Sequence, residues 1–217
     1  MKKRIHFSLL FAVFLCFLIF IPNAFATPMA GDTIELSWSG TFGHANGGGE
    51  FKAIVSRDGS EIDTFRTFCV ETSEHISLGT EYTVGAISTT TQNTGIDLNP
   101  LTAYLYSMYR AGTLDELTLA DSDNTTVFQY DDKDSANALQ AAIWELQGQS
   151  YGAQNYLYHL AMGTTWTGLG NVRVMNIVDG LTAKQDQLTL VSEPATLLLS
   201  GLGLIFVGVF FRRKFIK

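Results

Sequence analysis

Asp134-Ser135-Ala136-Asn137-Ala138-Leu139-Gln140-Ala141-Ala142-Ile143-Trp144-Glu145-Leu146-Gln147-Gly148 is the stretch on which the reading of this chain turns. The spacing predicts a short helix with a marked start and stop. Asp134 or Ser135 is the expected N-cap, since a side-chain oxygen there accepts from the first free backbone N–H groups. Gly148 stands where a left-handed C-terminal residue is wanted. Leu139, Ala142, Ile143 and Leu146 form the buried stripe. Gln140 lies beside that stripe, and Trp144 follows four residues later, so the indole can lie against the glutamine. An amide set among alanines and roofed by a tryptophan is partly desolvated and needs a partner. We expect that partner to be Cys69, with the two side chains joined.

Before this helix the pattern is that of strands. Ile34, Leu36 and Trp38 alternate with polar residues, as do Phe51, Ala53 and Val55. Arg57-Asp58-Gly59-Ser60 reads as a hairpin turn, and Gly47-Gly48-Gly49 as a turn or flexible tip. The next strand runs from Thr64 to Glu71, with Phe65, Thr67 and Cys69 on one face and Arg66, Phe68 and Val70 on the other. Tyr82 to Ile87 is another strand, and Gln92 to Leu98 a polar loop. Pro100 to Ala111 then has helical spacing, with Gly112 as its stop. Tyr151 to Met162 reads as aromatic and helical, and Val172–Val178 and Leu188–Val191 as a return to the sheet. Strands first, helices in the middle and strands last indicate an α+β fold rather than alternating βαβ units.

Both ends carry targeting signals. Met1-Lys2-Lys3-Arg4, the apolar run from Phe7 to Ile21 and Asn23-Ala24-Phe25-Ala26 read as a signal peptide over residues 1–26. At the other end, residues 195–211 are apolar and Gly-rich, and Arg212-Arg213-Lys214 follows. This reads as a transmembrane helix near the lower length limit, its basic tail kept on the cytoplasmic side. Residues 27–191 between them suffice for one domain. That segment has seven Lys and Arg against twenty Asp and Glu, a net charge of −13. Such a balance argues against nucleic acid and against anionic membrane surfaces.

The acidic run from Asp121 to Asp134 lacks EF-hand spacing and reads as a solvated loop. With one cysteine and three scattered histidines outside the signal peptide, no zinc site is expected, and no cofactor. Cys16 leaves with the signal peptide, so Cys69 is the one cysteine of the exported part. It is idle, paired with another molecule, or chemically used.

If folding holds the Cys69 sulfur against the Gln140 carbonyl, thiol attack becomes intramolecular. Ammonia leaves and a Cys–Gln thioester remains, which needs shelter from water. Trp144, Phe68, Ile143 and Val70 are the candidate shield. An amine from another molecule would then take the Gln140 acyl group as an amide, in a single attachment without enzymatic turnover. A Cys–His hydrolase built from His75, His44 or His159 is the rival chemistry, and it has no signature residues here.

Two resemblances carry these expectations further. Phe68-Cys69-Val70-Glu71 with Leu139-Gln140-Ala141-Ala142-Ile143-Trp144 is similar to the two motifs of the thioester domains of Gram-positive surface proteins. That resemblance implies a Cys69–Gln140 bond, a β-rich body (sandwich or barrel-like) with an inserted helical part, and covalent adhesion to a surface or matrix polymer. Ser192-Glu193-Pro194-Ala195 through Leu199, then Gly201-Leu202-Gly203 and Arg212-Arg213-Lys214, resembles the PEP-CTERM sorting signal over residues 192–217. Its first proline is Ser192 here; Glu193 and Pro194 carry the rest of the motif. It implies recognition by an exosortase and placement at the cell envelope or surface. The competing expectation is a structural or matrix-binding protein of the same sorting class with an unreactive Cys69.

Overall fold

The computed structural model describes residues 27–39, 44–45, 48–116, 128–149, 151–152 and 155–192. The expected signal peptide, transmembrane helix and Glu193-Pro194, and the Asp121–Thr126 part of the acidic run, lie outside them. Among the described residues no helix is long and apolar enough to cross a membrane.

The body is a six-stranded antiparallel sheet with three helices inserted between its third-from-last and second-last members in sequence. The strands are β1 (Thr33–Trp38), β2 (His44–Ala45), β3 (Gly48–Gly49), β4 (Phe51–Arg57), β5 (Ser60–Thr67), β6 (Glu81–Ser88), β7 (Val172–Asp179) and β8 (Thr182–Leu190). The helices are α1 (Pro100–Ala111), α2 (Lys133–Leu146) and α3 (Tyr156–Met162). The large sheet has the order β5-β4-β1-β6-β7-β8, while β2 and β3 make a separate short pair.

Local chemistry explains most of these elements. Asp58 (φ 52°) and Gly59 (φ 75°) put both central residues of the β4–β5 turn in the left-handed region, the conformation that matches strand twist. Helix α1 has Asn99 as N-cap, Pro100 in the first turn and left-handed Gly112 after its last residue. Helix α2 begins earlier than its sequence suggests. Its N-cap is Asp132, and Ser135 is instead the third helical residue, bonded back to Asp132 in a capping box. In a run of acids several residues can cap, and the reciprocal pair wins because it satisfies two backbone donors. Helix α3 starts only at Tyr156, capped by Asn155, so the aromatic stretch from Tyr151 is not helical throughout.

Two strand expectations need correction. Strand β5 ends at Thr67, and Cys69 lies just beyond it, in an isolated antiparallel bridge with Gln187 of β8. Strand β8 starts at Thr182, well before Leu188. A bulge between Met175 and Ile177 shifts the β7–β8 register there, and the Asp186 carboxylate accepts the Ile177 N–H at 3.1 Å. Residues 68–70 then bond to β8 through Val70 N to Asp186 O (3.1 Å) and Leu188 N to Phe68 O (3.0 Å). The two edges of the sheet thus meet where Cys69 sits.

Two apolar clusters fill the interior. Ile34, Leu36, Phe51, Val55, Met175 and Ile177 pack with Cys69 and Trp144 inside the sheet. Phe68, Val70, Leu139 and Ile143 pack with the helices in the other cluster.

A polar seam borders the Cys69 segment. Glu71 is buried, accepting from Thr94 Oγ1 at 2.6 Å. Burial, then the negative charge of Glu71, pushes Glu74 up to about 7. A carboxyl raised on folding adds stability below its ordinary value of 4.5 and loses it as pH rises through about 7. Glu74→Gln keeps a donor toward Glu71 at every pH. Urea denaturation between pH 4 and 8, a range spanning roughly the ordinary and raised values, should show wild-type stability falling with pH relative to Glu74→Gln. Parallel curves for the two proteins would remove this coupling.

Candidate functional site

The site forms where the end of β5, the glycine strand β3 and the middle of α2 converge. Cys69 is held by its bridge to β8, and Gln140 projects from the second turn of α2. Both are fully buried. The alanines beside Gln140, at 136, 141 and 142, leave room for the helix to approach.

Four hydrogen bonds fix the Gln140 carboxamide. Its Nε2 donates to Cys69 O at 2.8 Å. Its Oε1 accepts from Cys69 N at 3.2 Å and from Gly49 N at 3.1 Å, and the Cys69 thiol donates to the same oxygen at 3.2 Å. The carbon that sulfur would attack is one C=O bond, about 1.2 Å, from that oxygen. Two backbone N–H groups therefore point at the atom where negative charge would develop if sulfur added to the carbonyl, which is the arrangement of an oxyanion hole. Burial pushes the Cys69 thiol well above its ordinary value, so the sulfur rests protonated at neutral pH.

Trp144 covers the sulfur. Its indole nitrogen is buried without a hydrogen-bond partner, yet it faces the thiol closely enough to moderate the rise caused by burial. The Trp144 ring is packed against Tyr151, with centroids 4.8 Å apart. Gly48 lies close against the same ring. A Cβ at Gly48 would come within 2.3 Å of the Trp144 ring and 2.9 Å of the Cys69 sulfur. The glycines read as a flexible tip are, at Gly48 and Gly49, a strand seated on the site, and only the missing side chain permits that approach. Phe68, Ile143 and Val70 are buried in the helix-side cluster, whereas Cys69 and Trp144 share the cluster inside the sheet.

The structure thus brings Cys69, Gln140 and Trp144 together and adds Gly48, Gly49 and Tyr151. The sequence places Tyr151 at the start of a helix that begins only at Tyr156, and Gly49 contributes only its backbone. The hydrogen-bond partner of the sulfur is Gln140, and His75 and His159 are exposed on the surface. Among the described residues no group of three or more His, Cys, Asp or Glu is placed to hold a metal ion.

Comparison with known proteins places one segment. Residues 190–214 match the PEP-CTERM protein-sorting motif. That motif marks the chain as exported and sorted to the cell surface by an exosortase. No curated protein and no solved structure matches the chain.

Gly48→Ala should force Trp144 off the sulfur, at a cost of about 1–3 kcal/mol for overpacking. Denaturant titration, with Trp fluorescence as the probe, would check this. Gly168→Ala, at an exposed glycine outside the left-handed region whose Cβ would meet only a neighbour at 3.9 Å, serves as the control for glycine replacement alone. A Gly48→Ala protein as stable as wild type would show that the strand is not tightly seated.

Proposed function

We propose that Cys69 and Gln140 join in an internal thioester, and that the exported protein uses it once, to attach covalently to an amine on a surface or matrix polymer. The observation that carries this reading is the Gln140 oxygen held 3.2 Å from the Cys69 sulfur while accepting from two backbone N–H groups. A buried amide beside a buried thiol could be satisfied by one donor. Here the donors converge on the carbonyl oxygen, where they favour attack on the carbon.

The chemistry balances without a co-reactant. The S–C bond forms, the C–N bond of the carboxamide breaks, and the thiol proton leaves with the nitrogen as ammonia. In the second step an amine adds to the same carbonyl, the C–S bond breaks, and a proton from the amine returns to Cys69. The same oxyanion contacts serve both steps. Capture happens once per molecule because the product amide no longer holds an activated acyl group.

The seal over the site sets the lifetime of the bond. Cys69 and Gln140 are inaccessible in the closed form, so an attacking amine requires the Gly48–Gly49 strand or the Trp144 ring to move aside. The PEP-CTERM motif at residues 190–214 supports the cellular setting, since it directs the domain to the surface where such polymers lie. The upward shift of the thiol favours a second reading, a sorted structural protein whose Cys69 stays unreactive.

Alkylation of the denatured exported protein separates the two. Under the thioester reading Cys69 resists iodoacetamide until methylamine has been added, and the methylamine appears on Gln140 in peptide maps. Cys69→Ala and Gln140→Ala each abolish incorporation, while Trp144→Ala forms the bond and loses it faster to water. Full alkylation of Cys69 in the untreated protein, unfolded rapidly in denaturant at mildly acidic pH, would favour the unreactive reading. The bond spans 71 residues, so by the loop-closure relation for cross-links it should add up to about 4 kcal/mol of stability relative to Cys69→Ala.

A further inference from the structure

The indole N–H of Trp144 is a buried donor without an acceptor. Trp144 is 2% exposed, and a tryptophan so deeply buried ordinarily finds a partner for its N–H. Even Trp166, exposed on the surface, donates its N–H to the Gly168 carbonyl. An unpaired buried donor costs stability. Trp144 carries that cost against the Cys69 sulfur, the atom on which the proposed chemistry turns.

Geometry puts the donor beside the sulfur. A Cβ on Gly48 would stand 2.3 Å from the indole Cζ2 and 2.9 Å from the Cys69 sulfur, so both atoms border one space the size of a methyl group. Cζ2 is bonded to Cε2, the ring carbon that carries the nitrogen. Burial raises the Cys69 thiol, and of the contacts that oppose this rise the Cys69 backbone N–H comes first and the Trp144 side chain second. The backbone donors are engaged elsewhere. Cys69 N and Gly49 N both donate to the Gln140 oxygen, at 3.2 and 3.1 Å. With those two committed to the oxygen, the indole N–H is left for the sulfur itself.

We propose that Trp144 takes part in the reaction as well as covering it: its indole N–H donates to the Cys69 sulfur whenever that sulfur carries negative charge. The inference rests on the thioester reading and adds a role to it. In capture, the amine nitrogen adds to the Gln140 carbonyl carbon, and the oxygen becomes an oxyanion held by Cys69 N and Gly49 N. Collapse of that intermediate breaks the C–S bond, and the electron pair goes to sulfur. In a dry site a bare thiolate is a poor leaving group, because burial disfavours the charged form. The indole N–H meets it there and keeps its own proton. The thiolate then takes the proton that the amine nitrogen gives up. The same donor steadies the sulfur as it attacks the carboxamide when the bond forms. Loose alignment in the resting protein is ordinary for such a donor, since the hydrogen bond tightens only as charge develops.

The test puts benzothienylalanine in place of Trp144, a side chain with the shape of tryptophan but a ring sulfur instead of the N–H. The exported chain, in mild detergent, is followed by intact mass for loss of the bond to water and for capture of methylamine. Both rates should fall about tenfold or more against wild type, the scale set by losing a hydrogen bond to a charged group. The urea midpoint should stay at the wild-type value, because the cover is kept. A folded isostere that lacks the bond wild type carries counts with slower rates, since sulfur attack uses the same donor. Rates equal to wild type or faster would overturn the proposal and leave Trp144 as a cover only, with the thioester intact. If the isostere unfolds at lower urea, Trp144→Phe decides. Its smaller ring opens the site, so lost cover alone would speed capture. Slower capture in Trp144→Phe supports the donor, and equal or faster capture overturns it. Wild-type protein at its full sequence mass that takes up no methylamine would remove the thioester reading and this role with it.

Discussion

The Gln140 carboxamide is the contact on which the rest depends. Its nitrogen and oxygen bond to Cys69, and its oxygen also accepts from Gly49, so one side chain ties α2 to the end of β5 and to the glycine strand. A buried amide with its partners removed is costly, about 1–3 kcal/mol for each group left unpaired. The constraint therefore runs both ways. The helix must lie close enough to deliver Gln140, which the neighbouring alanines permit, and the sheet must hold Cys69 rigidly, which the bridge to Gln187 does. The bulge in β7 and the Asp186 carboxylate that fills it set the register of that bridge.

Burial and reactivity pull against each other at this point. Removing Cys69 from water raises its thiol and makes it a poor spontaneous nucleophile. The same dry environment strengthens the backbone donors aimed at the Gln140 oxygen. In the proposed reaction, proximity would supply what the protonated thiol lacks, since well-oriented neighbours react as if present at very high concentration. Under the proposed thioester reading the bond would form slowly, persist while sealed, and be open to capture only when its cover moves. Such behaviour would suit a protein sorted to the cell surface by the PEP-CTERM motif at residues 190–214.

Much of this was legible along the chain, and the reasons for the exceptions are physical. Helix α1 announces itself by Asn99, Pro100 and Gly112, and the β4–β5 hairpin by Asp58-Gly59, because caps and turns are local chemistry. The Gln140–Trp144 spacing on α2 is equally local. Strand β8 was hidden because Gln185, Asp186 and Gln187 are polar yet buried, and Gln185 and Asp186 find partners in distant segments, at Glu71 O and Gln92 N. Gly48 reads as a loop from sequence alone, because what it contributes is the absence of a side chain beneath Trp144. Tyr151 belongs to no periodic element, and its place on the Trp144 ring follows from tertiary packing. Cys69 and Gln140, the residues of the proposed bond, and Trp144 over them were visible as types. Gly48 and Tyr151 were not, because one contributes backbone and the other is a loop aromatic.

Intact mass of the exported protein, measured without reducing agent before and after methylamine, tests the central claim most directly. A chain lighter than its sequence by one ammonia, gaining one methylamine on treatment, is the result expected when Cys69 and Gln140 are joined. A chain at its full sequence mass, unchanged by methylamine, would contradict the thioester and leave the four Gln140 contacts as ordinary core hydrogen bonds.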